Sequence, residues 1–216
     1  MALLYLPSPH EYRLDGPLVP SNTGVLRAQR LIRLDGIPAG ILARARARGA
    51  AVHQLIHYHN ESDLDRGSID PAYAPYLTAW ERCLADRHLT PLLCEYRIAS
   101  RRHRIAGTLD LLCAIEGEGW LLDYCTGAME KLAKHLQTGG YLGMAFEWAH
   151  EDPRLAAVLN RFTRWRRAGV RLRADGTYRF IEYPDPTDYS RFLTLVAAYH
   201  IRVSEGADLT PEDCTA

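Results

Sequence analysis

The hydrophobic pattern divides the chain into helical and extended segments. Apolar residues at a 3.6-residue spacing after Gly49 predict a helix that ends near Tyr58, and an apolar stripe from Tyr73 to Leu84 predicts a second helix. The period then changes to that of extended chain in three segments joined by short turns: 92–99, 104–115 and 120–124. Three consecutive strands with short turns predict an antiparallel meander.

The second half of the chain returns to helical spacing around one hairpin. Asp175-Gly176 is a typical two-residue hairpin turn, and it joins strands predicted at 167–172 and 178–183. Helices are predicted at 129–150, 153–165 and 188–203. We therefore expect one α/β domain over residues 1–216, in which a mixed central sheet, the meander plus the hairpin, is flanked by helices.

The two ends of the chain are expected to be less regular. Proline and glycine residues interrupt segment 1–47, which predicts an irregular leader, although Ser21 is a typical helix cap within it. The polar segment 205–216 predicts a frayed tail.

Composition narrows the class of protein. The 216 residues include 26 Lys plus Arg and 26 Asp plus Glu, and 47% are hydrophobic, which excludes a disordered chain and a polycation. The sequence has neither a run of 18 apolar residues nor a basic, apolar leader typical of a signal peptide, so we expect no membrane contact. Five scattered cysteines, none in a CxxC pair, favour the reducing cytoplasm.

Three acidic residues lie within the predicted meander. Glu95, Asp110 and Asp123 each fall on a different strand, although acidic residues are depleted from strands. Carboxylates brought together on adjacent strands need a cation, and an all-oxygen cluster is typical of Mg²⁺ or Mn²⁺. Such a site most often serves phosphodiester chemistry. The alternative is that all three acids lie at strand ends and face solvent.

Five ordered motifs carry a resemblance. They are segments 20–26 (PSNTGVL), 48–53 (RGAAVH), 107–110 (GTLD), 122–127 (LDYCTG) and 137–141 (QTGGY). Together with Glu95, their order resembles the PD-(D/E)XK nuclease superfamily, most closely its RecB-like and phage-type exonuclease branch. The resemblance implies a restriction-endonuclease-like core and covers most of the chain.

The resemblance also implies roles for individual residues. It gives as metal ligands Asp110, Asp123, Glu95, His53 and the backbone carbonyl of Tyr124. It places Gln137 and Tyr141 in the active site, holding the phosphate backbone, and their i, i+4 spacing independently puts them on one helix face. The alternative for this pair is a surface amide and a core tyrosine.

The sequence departs from the family pattern at Cys125, where family members carry lysine. A thiol is neutral at its usual pKa of about 8.5 and does not replace an ammonium group. Three explanations are open. The catalytic cation has migrated to Lys134, which lies on the same predicted helix face as Gln137 and Tyr141; the site is a degenerate nucleic-acid binder; or the chain is an engineered or mutated form of an active enzyme.

Clustered arginines suggest a partner with phosphate groups. Such clusters at the rim of an acidic site can hold the DNA backbone, although each cluster could also be a solvated surface. The candidate DNA-binding residues are Arg48, Arg101, Arg102, Arg164, Arg166 and Arg167. The run from Arg161 to Arg173, with aromatic residues interleaved, is the preferred edge.

The sequence also allows a zinc site and a cysteine nucleophile. His53 and His57 have the i, i+4 spacing of zinc-binding helices, but Gln54 stands where a zinc protease carries its glutamate base. Cys125 could be a nucleophile with His103 or His135 as base, but no oxyanion-hole motif accompanies it.

The sequence therefore favours a metal-dependent DNA nuclease, most plausibly an exonuclease, in phage-type or bacterial replication, recombination or defence. Its expected cofactor is Mg²⁺ or Mn²⁺, and its expected partners are DNA without base specificity, with a homo-oligomer or a recombination partner also open. The alternative is a catalytically inactive DNA-binding or assembly protein on the same fold, because Cys125 replaces the motif lysine.

Overall fold

The structure, a computed structural model, describes residues 2–8, 10–127 and 131–206. The strands are β1 (Leu3–Leu6), β2 (Glu11–Leu14), β3 (Leu18–Val19), β4 (Thr90–Ser100), β5 (Ile105–Ile115), β6 (Glu118–Cys125), β7 (Trp165–Leu172) and β8 (Tyr178–Glu182). The helices are α1 (Asn22–Ala28), α2 (Ala39–Asn60), α3 (Ala74–Asp86), α4 (Lys131–Trp148), α5 (Pro153–Leu159) and α6 (Asp188–Ser204), with a short 3₁₀ helix at Arg66–Ser68.

The central sheet has five strands in the order β4-β5-β6-β7-β8. β4, β5 and β6 form the antiparallel meander, and β7 and β8 form the antiparallel hairpin. The two units join through a parallel pairing of β6 with β7, which runs from Gly119 opposite Trp165 to Cys125 opposite Arg171. The predicted fold class, a mixed sheet flanked by helices, is therefore confirmed.

Both faces of the central sheet are covered, which explains why β5 and β6 are nearly continuous apolar runs. On one face, sheet residues such as Leu109 and Leu121 pack against α1, α4, α5 and α6. On the other face, Leu111 and Leu122 pack against α2 and α3, with Trp80 fully buried between them. The two layers fix helices α2 and α4 on opposite faces of the meander.

The prediction of an irregular leader is wrong. Strands β1, β2 and β3 form a small antiparallel sheet, Ser21 accepts a hydrogen bond from the backbone of Gly24 as the cap of α1, and α2 begins at Ala39. The glycine and proline residues that suggested irregular chain occupy the tight turns; Gly16, with φ of +105°, lies between β2 and β3. Short strands paired across such turns leave only a weak hydrophobic pattern.

Helix α4 packs closely because glycines line its inner face. A Cβ atom on Gly139 would lie 2.9 Å from Cβ of Asp188, and one on Gly140 would lie 2.6 Å from Nδ2 of Asn22. These contacts leave no space for a larger side chain, so α1 and α6 approach the backbone of α4 directly. The close packing fixes the position of the first turns of α4, which carry Lys134 and Gln137.

Two other boundaries differ from the predictions. The helix predicted at 153–165 ends at Leu159, and Trp165 is the first residue of β7. The predicted start of the fourth helix at Met129, and the predicted frayed tail from residue 207 onwards, lie outside the described residues. Among the described helices, none combines the length and the apolar character needed to cross a membrane.

Candidate active site

Three potential metal ligands converge where α2 lies against the meander. His53 comes from α2, Glu95 from β4 and Asp110 from β5, and one ligand atom from each lies within 4.8 Å of the others. Nδ1 of His53 is 3.0 Å from Oε1 of Glu95 and 4.0 Å from Oδ1 of Asp110. Residues that are 15 to 57 positions apart in the sequence therefore form one cluster.

The backbone of Glu95 is unusual for a strand. Its φ is +47°, in the left-handed region that non-glycine residues rarely adopt, while Cys94 and Tyr96 on either side keep their pairing with β5. Such a conformation costs on the order of 1–3 kcal/mol and persists only where the surroundings impose it. Here it brings the carboxylate of Glu95 next to His53.

Tyr124 connects the members of this cluster. Its backbone N–H donates to Oδ2 of Asp110 at 2.9 Å, and its hydroxyl donates to Oε1 of Glu95 at 3.1 Å. Its carbonyl oxygen lies 3.1 Å from Nε2 of His53. Tyr124 thus orients both carboxylates and the imidazole, and its carbonyl faces the cluster as the resemblance implies.

The electrostatics show that the cluster attracts positive charge. Both ring nitrogens of His53 face acceptors, which favours the doubly protonated ring. Burial lowers the pKa of His53, but the carboxylates of Asp110 and Glu95 outweigh that effect and raise it to about 9. Burial raises the pKa of Asp110 to about 8, because the effect of the imidazolium only partly offsets burial and the neighbouring carboxylates.

Asp123 and Lys134 form an ion pair beside the cluster. Nζ of Lys134 lies 2.5 Å from Oδ2 of Asp123, and both side chains are largely buried. Burial lowers the pKa of Lys134, but the Asp123 carboxylate outweighs it, so the pKa is raised and the ammonium form is favoured. Asp123 therefore faces Lys134, and it is not one of the three side chains whose ligand atoms converge.

The thiol of Cys125 contributes no charge to this pair. Burial raises its pKa to about 11, although the nearby Lys134 ammonium lowers it, so the thiol stays neutral near pH 7. Its sulfur lies 3.8 Å from the carbonyl oxygen of Gly127. The positive charge in this part of the site comes from α4.

Gln137 and Tyr141 lie on one face of α4, as their spacing predicted, and both are buried. Nε2 of Gln137 donates to Oγ1 of Thr23 at 3.3 Å, and the ring of Tyr141 packs against Gly107. Burial, with the Asp110 carboxylate adding to it, raises the pKa of Tyr141. The two side chains connect α1 to the cluster, and Thr23 is a contact that the sequence motifs did not reveal.

Most of the predicted DNA-binding arginines are paired with acids. Arg101 pairs with Asp15 and Glu151. Arg164 and Arg166 both pair with Glu118, at 3.1 Å and 3.2 Å, and Arg166 also pairs with Glu182. Arg102 is exposed, whereas Nε of Arg48 donates to Oγ1 of Thr126 at 3.2 Å, next to Cys125. Within the described part of the chain, Arg48 is the one of the six whose side chain bonds segment 124–127.

The prediction that Arg167 contacts DNA is wrong. Only 7% of the residue is exposed, and its guanidinium donates to Oδ2 of Asp188 and to the carbonyl oxygens of His135 and Asp185 at 2.6–2.8 Å. β7 directs this side chain inward between α4 and α6. A fully bonded, buried guanidinium stabilises the fold and does not reach a ligand.

Tyr183 is a site residue that the sequence did not suggest. It follows β8, its ring centroid lies 4.4 Å from that of His135, and its hydroxyl is buried without a hydrogen-bond partner in the described residues. Burial raises its pKa, the Asp123 carboxylate raises it further, and the Lys134 ammonium lowers it. The hydroxyl therefore lies within the field of the Lys134–Asp123 pair. No sequence motif surrounds it.

The structure does not bring together the residues of the two other chemistries. His57 is not among the residues that converge with His53. Nε2 of His103 lies 3.7 Å from Glu147, and Nδ1 of His135 lies 3.5 Å from Asp188, so neither ring is placed as a base for Cys125.

Comparisons with known proteins find similarity among solved structures alone. No protein-family model matches the chain, and no curated protein matches it. Among solved structures, the chain is similar to the crystal structure of LHK-Exo in complex with dAMP, with 12% sequence identity and a TM-score of 0.39. The similarity covers 88% of this chain and 90% of LHK-Exo.

Proposed function

We propose that the protein is a metal-dependent DNA nuclease that degrades DNA from an end. The observation that carries this proposal is the convergence of His53, Glu95 and Asp110 from three separate elements, beside the buried Lys134–Asp123 pair. The resemblance to the PD-(D/E)XK superfamily, which implies that His53, Glu95 and Asp110 are metal ligands, supports the proposal. Lys134 supplies the cation that the motif lacks at position 125.

The donor set fits Mg²⁺ or Mn²⁺. Glu95 and Asp110 would hold the ion through carboxylate oxygens and His53 through a ring nitrogen, and the carbonyl of Tyr124 lies beside His53. The raised pKa values of Asp110 and His53 support this fit, because added protons balance the clustered carboxylates where a cation would otherwise do so. A bound ion would supply Lewis acidity and a more acidic water molecule.

The residues around the cluster have separate roles toward the DNA. Lys134 stabilises the negative charge that develops on the phosphate, and Asp123 orients the ammonium group. Gln137 and Tyr141, held by Thr23, position the strand on the other side. Cys125 occupies the position of the family lysine without its charge, because its thiol is protonated near neutral pH.

A second function has one observation in its favour. The substitution of the motif lysine by Cys125 is expected in a protein that keeps the fold and the DNA surface but no longer cleaves. In that case the buried ion pair of Lys134 and Asp123 is a structural contact. Metal-dependent cleavage separates the two functions, since both include DNA binding.

The test is degradation of end-labelled linear DNA in Mg²⁺ or Mn²⁺. The natural chain is compared with Asp110→Asn, Lys134→Ala and Cys125→Lys, and with Glu116→Gln as a control, because Glu116 is exposed in the β5–β6 turn. We expect cleavage by the natural chain and the control, and loss of cleavage in Asp110→Asn and Lys134→Ala. If Cys125→Lys is the one protein of the set that cleaves DNA, the result supports the second function, a DNA-binding protein that has lost cleavage. If no protein of the set cleaves, the proposed nuclease function is contradicted.

A further inference from the structure

The first half of α2 extends away from the core. No residue from 39 to 51 is buried, whereas the second half of the helix buries Val52, Leu55 and Ile56 against the sheet. At about 1.5 Å per residue, this unburied segment is roughly 20 Å long. We call residues 39–51 the basic arm. Because none of its residues is fully buried, the arm contributes little to the hydrophobic core.

The basic arm is stable as a helix without packing because of its composition. Alanine, the strongest helix former, occupies six of its positions: Ala39, Ala43, Ala45, Ala47, Ala50 and Ala51. The arm thus holds its other side chains in a fixed, solvent-facing arrangement. Among those side chains are three arginines at alternate positions: Arg44, Arg46 and Arg48.

The charge of this region is strongly one-sided, although the whole chain is neutral. Asp35 is the single acidic residue between Arg27 and Asn60 in the sequence. In the described part of the chain, no acidic side chain forms an ion pair with Arg44, Arg46 or Arg48. Arg164, Arg166 and Arg167 differ, because acids on β6, β8 and α6 form ion pairs with them.

The N-terminal end of α2 is positive as well. Its first turn contains no acid that would compensate the positive end of the helix dipole. The positive charge of the arm therefore adds to that of the dipole. An anionic partner of extended shape would interact favourably with the arginines and with the positive end of the helix dipole.

The base of the basic arm reaches the candidate active site. Arg48 donates to Thr126, which follows Cys125, and His53 lies on the same helix five residues further on. His53 is one of the three converging ligands. Arg44 lies one turn before Arg48 on the same helix face, so positive charge leads along α2 toward the acidic cluster.

We infer that the basic arm binds the phosphate backbone of DNA and guides the strand to the His53–Glu95–Asp110 cluster. This inference rests on the proposed function and names the surface that recognises the substrate. At about 3.4 Å per phosphate along one strand, the length of the arm matches about six phosphates of B-form DNA. Contacts of this kind are independent of base sequence. The arm replaces β7 as the main DNA-binding surface.

The inference is tested by DNA binding with cleavage suppressed. Fluorescence anisotropy measures the affinity for a labelled oligonucleotide in Ca²⁺ over a range of salt concentrations. Arg44→Gln/Arg46→Gln is compared with Arg164→Gln/Arg166→Gln, which removes the same charge from the acid-paired arginines around the start of β7 and is called the β7 variant. Arg48 is left unchanged because it contacts Thr126. We expect the arm variant to bind more weakly and its log–log salt slope to fall by about 2, one for each lost phosphate contact.

The β7 variant is expected to keep the salt slope of the natural chain. An unchanged slope in the arm variant, or an equal loss in both variants, would overturn the inference and assign the arm another partner. If the natural chain cleaves, the arm variant should show a raised KM for long DNA with an unchanged kcat. If the natural chain does not cleave, the proposed function fails, whereas the difference in salt slope still decides the inference.

Discussion

The ammonium group of Lys134 lies 2.5 Å from the carboxylate of Asp123, although the two residues come from helix α4 and strand β6. Cys125, two residues after Asp123, leaves β6 on the same face, and its thiol is close enough for the Lys134 ammonium to lower its pKa. A lysine from the helix thus occupies the region where a lysine at position 125 would extend. This geometry is the basis of the proposal that the cation has migrated from position 125 to Lys134.

If the cation has migrated from position 125 to Lys134, a lysine returned to position 125 should replace Lys134. We expect Lys134→Ala to lower the single-turnover cleavage rate by about 10²–10³-fold, the usual effect of removing one preorganised charge from a transition state. Cys125→Lys in the Lys134→Ala background should recover a large part of that rate, because a lysine there can again pair with Asp123. The rates are measured at saturating DNA and Mg²⁺.

Lys131 offers a matched control for the exchange, because it is the only other lysine in the chain. Lys131→Ala should cleave at the natural rate. An equal loss of rate in Lys131→Ala and Lys134→Ala would contradict the migration and point to general electrostatic attraction of DNA. Failure of Cys125→Lys to restore any activity would show that the positions are not equivalent.

The protons held by the metal-free cluster predict a pH dependence of stability. The pKa of Asp110 is raised to about 8 and that of His53 to about 9, so both groups bind protons more tightly in the folded state. The free energy of unfolding without metal should therefore fall as the pH rises toward these two pKa values. Mg²⁺ replaces the protons, so its stabilising effect should grow with pH over the same range.

Thermal unfolding with and without Mg²⁺ at several pH values checks this dependence. Asp110→Asn should flatten the pH profile of the metal-free protein and abolish the shift in Tm caused by Mg²⁺. Glu116→Gln, in the exposed β5–β6 turn, should behave like the natural chain. A Tm shift that is largest at low pH would have the wrong sign for metal binding at this cluster.

The buried ion pair of Arg167 and Asp188 should be essential for stability. Arg167→Ala leaves the fully buried Asp188 carboxylate without its main partner, which typically costs about 3–5 kcal/mol. Arg164→Ala removes an exposed partner of Glu118 and should cost less than about 1 kcal/mol. Urea denaturation of both variants measures the two values. Comparable values would mean that Arg167 is not a structural residue.

Arg167 also shows what could not be predicted from the sequence. The meander and the hairpin follow from local periodicity and spacing, and the structure confirms them. The partners of the arginines could not be predicted from local spacing, because they come from distant elements. Asp188 lies 21 residues from Arg167, and Asp15 lies 86 residues from Arg101. An arginine that faces DNA and one that faces a buried acid have the same local pattern.

Some features of the candidate site could likewise be predicted from the sequence, and others could not. The positions of Asp110, Asp123 and Glu95 on adjacent strands could be predicted, because each of the three strands of the meander carries one of these acids. The orientation of Glu95 could not, since it depends on a positive φ that β-strand periodicity does not indicate. The proximity of Tyr183 to Lys134 could not be predicted either, because it arises from the packing of the β8–α6 connection against α4.

Tyr183 provides the last test, because its buried hydroxyl has no hydrogen-bond partner in the described residues. A buried, unsatisfied hydroxyl is destabilising by about 1–3 kcal/mol, so Tyr183→Phe should raise the Tm of the metal-free protein. If the hydroxyl donates to a phosphate held by Lys134, the same variant should also cleave more slowly, with the loss in kcat rather than in KM. Tyr178→Phe is the control, since the Tyr178 hydroxyl bonds Asp86 on the exposed surface. Full activity in a more stable Tyr183→Phe protein would exclude any role of this hydroxyl in the reaction.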